Sequence, residues 1–371
     1  MSLEKLQSIV SCIYERTNIS KVDIGIVCGS GLSGLATKIQ NPISIPYSEI
    51  KGFPHSAVAG HMNEIVLGTI GDKTVIALRG RFHFYEGWHP KDVVIGIMLI
   101  AALGAKAVVV TNAAGGVNPD FKIGDLMLIE DHISMVSLAG NSSLVGANDE
   151  AVGPRFPSIS SVYDAGFGKV LEEVHAEIAE RMNHTHELRR GCYVGVAGPN
   201  YESRHEIEFM RTIGGSSVGM STVMEVLQAA HCGIKVLGIS LITNNCLGTR
   251  PEEYNYPEPN HLEVVAETKK VEGFAQAVVE EFITRVDLTG YSSAPMAARF
   301  TREKLAEITP AEEEHEQQQD VKKDEVRHCP ITGAVCTTPS CPITSMMSYV
   351  LTGVVSSLVT LGAIAFMNRR K

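Results

Sequence analysis

The sequence predicts an α/β protein whose largely parallel sheet is flanked by helices. Between about residues 22 and 286, short β-branched runs alternate with longer stretches in which apolar residues recur every three or four positions, and this alternation is typical of α/β domains. The run Val108-Val109-Val110 is continuously apolar, as expected of a strand that helices cover on both faces. The 34 glycines gather in short motifs at the ends of such runs, which indicates tight turns and ligand loops.

These periodicities place the elements in chain order. Strands are expected at residues 24–28, 64–70, 74–78, 107–112, 126–132, 192–197 and 236–244. Helices are expected at residues 3–17, 92–103, 166–181, 204–213, 223–231 and 262–284. In open α/β sheets the ligand crevice lies beyond the carboxyl ends of the strands, so the stretch from Asn112 onward is a candidate site by position.

Charge and cysteine usage exclude some classes of function. A net charge of −10 with 6% aromatic residues argues against a nucleic-acid surface, which needs clustered Lys and Arg. Of the eight cysteines, the first five fall singly in apolar or strand-like runs, which is typical of reduced, buried thiols. The segment from Met1 to Tyr14 lacks the long apolar core of a secretory signal.

The C-terminal quarter has a different character. Residues 288–345 contain runs of Glu and Gln and few aromatic side chains, so we expect a disordered tether there after a domain of residues 1–287. Residues 346–367 carry no charge and precede a basic tail, residues 368–371; as a helix they would extend about 33 Å, enough to cross a bilayer. We expect a single-pass tail anchor in the outer mitochondrial or endoplasmic reticulum membrane, with the first domain cytoplasmic; a helix docked on that domain is the alternative. Cys329, Cys336 and Cys341 suggest no specific role.

Two segments could bind an anion. Gly29-Ser30-Gly31-Leu32-Ser33-Gly34 has dinucleotide-type spacing, but Pro42 follows too soon for a full crossover helix. A phosphate loop and a structural turn both remain open there. After the strand at residues 74–78, a continued extended register would put Arg81, His83 and Tyr85 on one face. They could supply a phosphate clamp, a titratable donor and a stacking ring; the alternative is a solvated strand edge.

Three later segments carry recognition groups that each could also serve as a cap or turn. Tyr201 and Glu202 follow a Pro-broken turn and offer a ring beside a carboxylate. The run 218–222 and Asn244 end two further strand-like segments. Residues 215–219 also fit a hydrolase elbow with Ser217 as nucleophile, but the preceding segment reads as a helix, whereas an elbow follows a strand.

Taken together, the motifs resemble the purine nucleoside phosphorylases of low-molecular-mass, trimeric type, from about residue 21 to residue 282. The resemblance rests on nine motifs in family order: Cys-Gly-Ser-Gly-Leu at 28–32, Gly-His at 60–61, Gly-Arg-Phe-His-Phe-Tyr-Glu-Gly at 80–87, Val-Thr-Asn-Ala-Ala-Gly-Gly at 110–116, Gly-Pro-Arg-Phe-Pro at 153–157, Gly-Pro-Asn-Tyr-Glu at 198–202, Val-Gly-Met-Ser-Thr at 218–222, Ser-Leu-Ile-Thr-Asn at 240–244 and Asn-His at 260–261.

The resemblance implies a single-domain phosphorylase/hydrolase-like fold and a glycosyltransferase that cleaves purine (deoxy)ribonucleosides reversibly with phosphate, preferring inosine and guanosine. It implies phosphate binding by Ser30, His61, Arg81, His83, the Ala113 backbone and Ser221. It implies substrate binding by Tyr85, Met220 and His261 at the ribose and by Tyr201, Glu202, Val218 and Asn244 at the base. Asn244, Glu202 and His83 would be catalytic, Phe156 would enter a neighbouring site of a homotrimer, and phosphate is a co-substrate with no cofactor or metal.

Some positions depart from the mammalian relatives, which have Phe at Tyr201 and Lys at Asn245. We expect both residues in the base pocket, so the base preference stays open. The sister family that cleaves 5′-methylthioadenosine has Asp at Asn244 and Thr at Ser221, which favours ordinary nucleosides here. A membrane-tethered nucleoside-binding scaffold without turnover is the alternative from another class.

Overall fold

Nine strands of residues 3–307 join in one mixed sheet. The computed structural model describes residues 3–29, 32–58, 60–255 and 258–307, together with the pairs 327–328 and 335–336. The chain divides into two units, Met1–Glu307 and Ile308–Lys371. In the second unit, the described residues form two antiparallel strands, β10 (Arg327–His328) and β11 (Val335–Cys336).

The elements of the first unit follow the expected alternation. Its strands are β1 (Ile24–Val27), β2 (Gln40–Pro46), β3 (Glu64–Ile70), β4 (Lys73–Leu78), β5 (Ala107–Gly116), β6 (Leu126–Ser134), β7 (Leu188–Gly195), β8 (Ser217–Gly219) and β9 (Lys235–Asn245). Its helices are α1 (Leu3–Arg16), α2 (Pro90–Val93), α3 (Ile95–Ala102), α4 (Met135–Leu138), α5 (Ala165–Met182), α6 (Arg204–Thr212), α7 (Val223–Cys232), α8 (His261–Arg285) and α9 (Arg302–Ala306).

Strand β5 links two parts of the sheet. On one side the order is β2-β3-β4-β1-β5, with β1 parallel to both β4 and β5. On the other side β5 pairs with β8 and with β9, and β8-β7-β6-β9 completes a closed ring of five strands. The carboxyl ends of β5 and β9 therefore lie side by side, where a ligand crevice is expected.

Both faces of the central strands are covered by helices, as their apolar runs predict. Val108 and Val110 belong to a buried cluster with α1, α3 and α7. Val109, between them, belongs to a second cluster with α5 and α8. Neighbouring side chains of a strand point to opposite faces, so the continuous apolar sequence supplies a core on each side of the sheet.

Two strands and one helix break differ from the sequence prediction. Strand β2 was not predicted because it contains two prolines and is mostly exposed, so its apolar pattern is weak. Strand β8 has three residues, too few for a periodicity. The helix predicted at residues 92–103 is divided at Val94, whose φ of −96° and ψ of 7° are not helical.

The predicted boundary of the tether is too early. Residues 288–307 pack on the first unit, where Met296 and Phe300 are fully or almost fully buried in the cluster that contains α1 and α3. Arg302 donates to the carbonyls of Thr17 and Ile19 and lies over the Tyr14 ring. Composition averaged over a long window concealed these few anchoring side chains, so residues 288–307 belong with the first unit. The rest of the predicted tether lies outside the described residues apart from β10 and β11.

The predicted membrane segment and basic tail, residues 346–367 and 368–371, also lie outside the described residues. Within the part that the structure describes, no helix is both long and apolar enough to cross a membrane. The free thiols of the first unit are Cys12, Cys28, Cys192, Cys232 and Cys246.

Candidate active site

A cavity of about 370 Å³ opens at the carboxyl ends of β5, β8 and β9. Eleven of the predicted site residues line it: Arg81, His83, Tyr85, Ala113, Tyr201, Glu202, Val218, Met220, Ser221, Asn244 and His261. These residues come from segments far apart in the sequence, and the sheet brings them to one place. The site therefore has the position that the strand ends predicted.

One end of the cavity carries a buried guanidinium. Arg81 is 3% exposed; its Nε donates to Glu225 Oε1 at 3.1 Å and its Nη1 donates to Ser221 Oγ at 3.0 Å. Nη2 is buried and has no hydrogen-bond partner among the described residues. A buried donor without a partner costs free energy, so this end is suited to an anion that accepts from Arg81.

A carboxylate next to this end fixes His83. Glu86 Oε1 accepts from the His83 backbone N–H at 2.9 Å and lies 3.1 Å from His83 Nδ1, while Oε2 accepts from Ser56 Oγ and from the Ala57 N–H. Burial alone would raise the pKa of Glu86, but these hydrogen bonds lower it to about 2. Glu86 therefore stays ionised and ties His83 to the loop that carries Ser56.

Three rings form a stack along one wall. The His83 ring stacks on Tyr85 with centroids 4.8 Å apart, and on His61 with centroids 5.4 Å apart. Phe82, between His83 and Arg81 in the sequence, packs into the core instead. Arg81, His83 and Tyr85 all line the cavity, which excludes a solvated strand edge. The expected extended register does not continue to Tyr85, however, because Phe84–Glu86 form a short 3-10 helix.

His61 packs between the Arg81 backbone and the His83 ring. Its Nδ1 accepts from the Arg81 backbone N–H at 3.3 Å, which assigns the proton of the neutral ring to Nε2. Nε2 is buried and lacks a partner among the described residues. Burial and the nearby charges of His83 and Arg81 lower the pKa of His61 to about 4, so the ring is neutral at pH 7.

The segment from β8 into α7 places Ser221. Thr222 has φ 69° and ψ −55°, and the Val223 N–H donates to the Ser221 carbonyl at 2.7 Å, which is a classic γ-turn, a rare and strained conformation. Asn112 Nδ2 donates to Thr222 Oγ1 at 2.9 Å. The turn thus directs Ser221 towards Arg81.

The opposite end carries polar groups that can read a heterocycle. Glu202 lines the cavity there, and burial raises the pKa of its carboxyl, to which the charge of Glu206 adds. Asn244 also lines the cavity, and its Oδ1 accepts from the Thr243 hydroxyl at 3.2 Å, so Nδ2 is the donor that this side chain can offer a ligand. Tyr201 stands at the rim, partly exposed. An acceptor and a donor are therefore held at this end.

Three predicted site residues are not in the cavity lining. Ser30 lies outside the described residues. His61 adjoins the cavity through Arg81 and His83. Phe156 is 88% exposed and does not line the cavity.

Two further expectations are corrected. Asn245 does not line the base end: it faces a second cavity, of about 360 Å³, with Arg211 and Glu253, because neighbouring strand residues point to opposite faces. Ser217 is fully buried in β8, so the hydrolase elbow is excluded. The described part of the chain has no cluster of three or more His, Cys, Asp or Glu side chains placed to hold a metal.

Sequence reasoning missed three polar residues at the site. Glu225 reads as an ordinary acidic residue in the first turn of a helix, and Glu86 as part of a motif without a role. Thr243 precedes Asn244 and gave no separate signal. Each acts through a side chain that was predicted. Glu86 lies three residues after His83, so an acidic residue close to a predicted histidine was the signal available for Glu86 alone.

Comparison with known proteins identifies the class. The Phosphorylase superfamily model matches residues 23–284, and the chain belongs to that superfamily, within its purine nucleoside phosphorylases. Purine nucleoside phosphorylase 1 of Bacillus subtilis is 44% identical over 256 residues, which cover 69% of this chain and 89% of that protein. The purine nucleoside phosphorylase of Bos taurus is 37% identical over 269 residues, or 72% and 91%.

Solved structures agree with this assignment. Schistosoma mansoni purine nucleoside phosphorylase in complex with adenosine is 37% identical, with a TM-score of 0.71 over 77% of this chain and 98% of that one. The same enzyme in complex with inosine is 36% identical, with a TM-score of 0.70 and the same coverage.

Proposed function

We propose that the protein catalyses the reversible phosphorolysis of purine nucleosides to the free base and ribose 1-phosphate. The observation that carries the proposal is one cavity with the Arg81–Ser221 pair at one end and Glu202 with Asn244 at the other. The first pair suits phosphate and the second suits a purine edge. Relatives named purine nucleoside phosphorylase, and a solved relative with inosine bound, support the same reaction.

The chemistry follows from this separation of groups. The bond between ribose C1′ and purine N9 breaks as an oxygen of hydrogen phosphate bonds to C1′. The electron pair leaves with the base, and the base takes up a proton that balances the one lost by the phosphate. Positive charge develops on the ribose and negative charge on the base. Phosphate held by Arg81, with His83 and His61 beside it, acts as both nucleophile and counter-charge. Asn244 donates to N7 as the base gains electrons.

The base end favours 6-oxopurines. Glu202 as a carboxylate accepts from the N1–H of hypoxanthine or guanine, whereas adenine has no proton on N1. A buried group left without its hydrogen-bond partner discriminates strongly between substrates. We therefore propose inosine and guanosine, with their deoxy forms, as the preferred substrates, with Tyr85, Met220 and His261 at the ribose and Val218 and Tyr201 at the base.

A phosphorolysis assay tests the function. Hypoxanthine release from inosine should require phosphate, and Arg81→Ala should raise the KM for phosphate and lower kcat. Release without phosphate, or no release at saturating phosphate, would refute the proposal; binding of base without turnover would identify the non-catalytic scaffold instead. Faster cleavage of 5′-methylthioadenosine than of inosine would identify the sister activity.

We propose a homotrimer in which Phe156 completes a neighbouring site. Its ring is 88% exposed, which is unusual for an aromatic side chain and is typical of an interface. Light scattering of the purified protein should give three times the subunit mass, and Phe156→Ala should raise the KM for inosine. A monomer with full activity would refute this assembly.

We also propose that residues 346–367 anchor the protein in an intracellular membrane with the catalytic domain cytoplasmic. The uncharged stretch and its basic flank support this. A fluorescent protein fused to residues 329–371 should localise to mitochondria or the endoplasmic reticulum; diffuse fluorescence would refute the anchor.

A further inference from the structure

Glu225 is a buried carboxylate beside the proposed phosphate end. It lies in the first turn of α7 and is 4% exposed. Its Oε1 accepts from Arg81 Nε at 3.1 Å, and its Oε2 has no hydrogen-bond partner among the described residues. Burying an ion pair costs desolvation free energy, and an apolar pair of similar size is often as stable. Fold stability alone therefore gives a weak reason for this pair.

The geometry of the contact gives a stronger reason for the Arg81–Glu225 pair. The guanidinium group is planar, with donors in a fixed fork. Glu225 holds it at Nε and Ser221 holds it at Nη1, so two points fix the rotation of the plane. Nη2 is then the guanidinium nitrogen that remains without a partner in the described part of the chain, and it is available to a phosphate oxygen.

The local backbone explains why these two residues reach the same guanidinium. Ser221 and Glu225 are four residues apart, on either side of the γ-turn at Thr222. The Val226 N–H donates to the Thr222 carbonyl at 2.9 Å, so α7 begins directly after the turn. The turn thus holds the hydroxyl of Ser221 and the carboxylate of Glu225 against Arg81 together.

We propose that Glu225 is a positioning residue for phosphate: its carboxylate orients Arg81 so that Nη2 faces the anion. The inference rests on the proposed phosphorolysis and adds a residue that does not touch the substrate. Loss of the carboxylate frees the guanidinium to rotate, so the protein loses phosphate affinity while its base and ribose groups stay in place.

The test is a comparison of KM values for the two substrates in the full-length protein. Glu225→Ala should raise the KM for phosphate about tenfold or more, and leave the KM for inosine within about twofold, since a charge-assisted hydrogen bond is lost at one end of the site only. Glu225→Gln keeps an oxygen that can accept from Nε, so its KM for phosphate should stay within about threefold of the parent. If Glu225→Ala does not fold, Glu225→Asp replaces it, because its shorter side chain keeps the charge but withdraws from Nε.

A second buried pair supplies the matched control. Glu253 accepts from Arg211 Nη2 at 2.8 Å, and these side chains are 3% and 11% exposed. Glu253→Ala should lower the melting temperature without changing the KM for phosphate.

Two outcomes would overturn the role of Glu225. One is an unchanged KM for phosphate in Glu225→Ala. The other is that the KM for phosphate and the KM for inosine rise by the same factor in both the Ala and the Gln variants. If the parent protein itself lacks phosphate-dependent cleavage, it is the proposed function that fails.

Discussion

Asn112 donates its side-chain amide to the Thr222 hydroxyl at 2.9 Å, across the interface between β5 and the start of α7. Thr222 is a β-branched residue at positive φ, a conformation that persists only where the surroundings enforce it. Asn112 is almost completely buried, and its Oδ1 has no partner among the described residues. This single bond therefore satisfies a buried donor and holds the turn that presents Ser221.

Removal of the Thr222 hydroxyl should lower the free energy of unfolding. Thr222→Val keeps the shape of the side chain but leaves Asn112 Nδ2 buried and unpaired, so we expect a loss of about 1–3 kcal/mol in the free energy of unfolding. Urea denaturation measures it. Thr268→Val is the control, because the buried Thr268 hydroxyl donates only to the Val264 carbonyl one turn earlier in α8. Equal losses of unfolding free energy in the two variants would show that the contact with Asn112 adds no stability beyond that of an ordinary helical threonine.

A close approach of two backbones should make Gly29 intolerant of a side chain. A Cβ at Gly29 would lie 2.6 Å from the Thr111 carbonyl oxygen and 2.7 Å from Asn112 Cα. These are backbone atoms of β5, so Gly29→Ala should destabilise the protein by about 1–3 kcal/mol through overpacking. It should also raise the KM for phosphate, since the turn directly precedes the predicted phosphate loop. Thermal unfolding and phosphorolysis measure both effects.

Gly273 in α8 provides the matched control, because a Cβ there meets no atom within 4 Å. Gly273→Ala should stabilise the helix by about 0.5–1 kcal/mol. A Gly29→Ala variant as stable as Gly273→Ala would contradict the close approach.

Acidic pH should weaken nucleoside binding through Glu202. Burial raises the pKa of this carboxyl above its usual value, so protonation begins at a higher pH than for a solvated glutamate. The carboxylate accepts from the N1–H of inosine more strongly than the protonated acid does, and the KM for inosine should therefore rise as pH falls through that raised pKa. Steady-state kinetics between about pH 4.5 and 7.5 measure it.

Glu202→Gln supplies the comparison for this pH dependence. The amide does not titrate, so the variant should have a higher KM for inosine at neutral pH but no further rise attributable to this position at acidic pH. If the KM for inosine rises at acidic pH in the variant as it does in the parent, a group other than Glu202 causes the pH dependence.

The segment after α8 should contribute to the stability of the catalytic domain. Phe300 is 1% exposed, so Phe300→Ala should lower the free energy of unfolding by about 3–5 kcal/mol. Arg299→Ala, at an exposed neighbour, should change it by less than about 0.5 kcal/mol. Denaturant unfolding of the two variants tests whether the first domain extends to residue 307. A small change in the free energy of unfolding for Phe300→Ala would support the original boundary at residue 287.

The parts of the fold that the sequence predicted are those with a strong periodicity. Continuous apolar runs located β1, β5 and β9, and the period of two put Arg81 and His83 on the side opposite Phe82. Tyr85 lines the same cavity from a short 3-10 helix, Phe84–Glu86, which that period does not describe. The same rule, applied one residue further, separates Asn245 from Asn244. Strand β8 has three residues and pairs with β5 and β7, so long-range pairing alone defines it.

The role of Glu225 could not be predicted for a related reason. Arg81 and Glu225 are 144 residues apart, and nothing local to α7 distinguishes this carboxylate from a solvated one. Buried pairs of this kind depend on how the sheet and the helices meet, which a pattern along the chain does not record.

The pairing of β5 with β9 has one more consequence. Ala113, at the anion end, is paired with Leu241 on β9, and Asn244, at the base end, lies three residues further along that strand opposite Gly115. Ala113 and Asn244 thus stand on paired strands of one sheet, with a register shift between Ala114 and Gly115. In the proposed reaction, these paired strands set the distance between phosphate and base: a nucleoside analogue with one extra atom between sugar and base would reach Asn244 only by moving its C1′ away from phosphate. Selection against such compounds needs no side chain that touches the added atom, because the backbone itself sets the length.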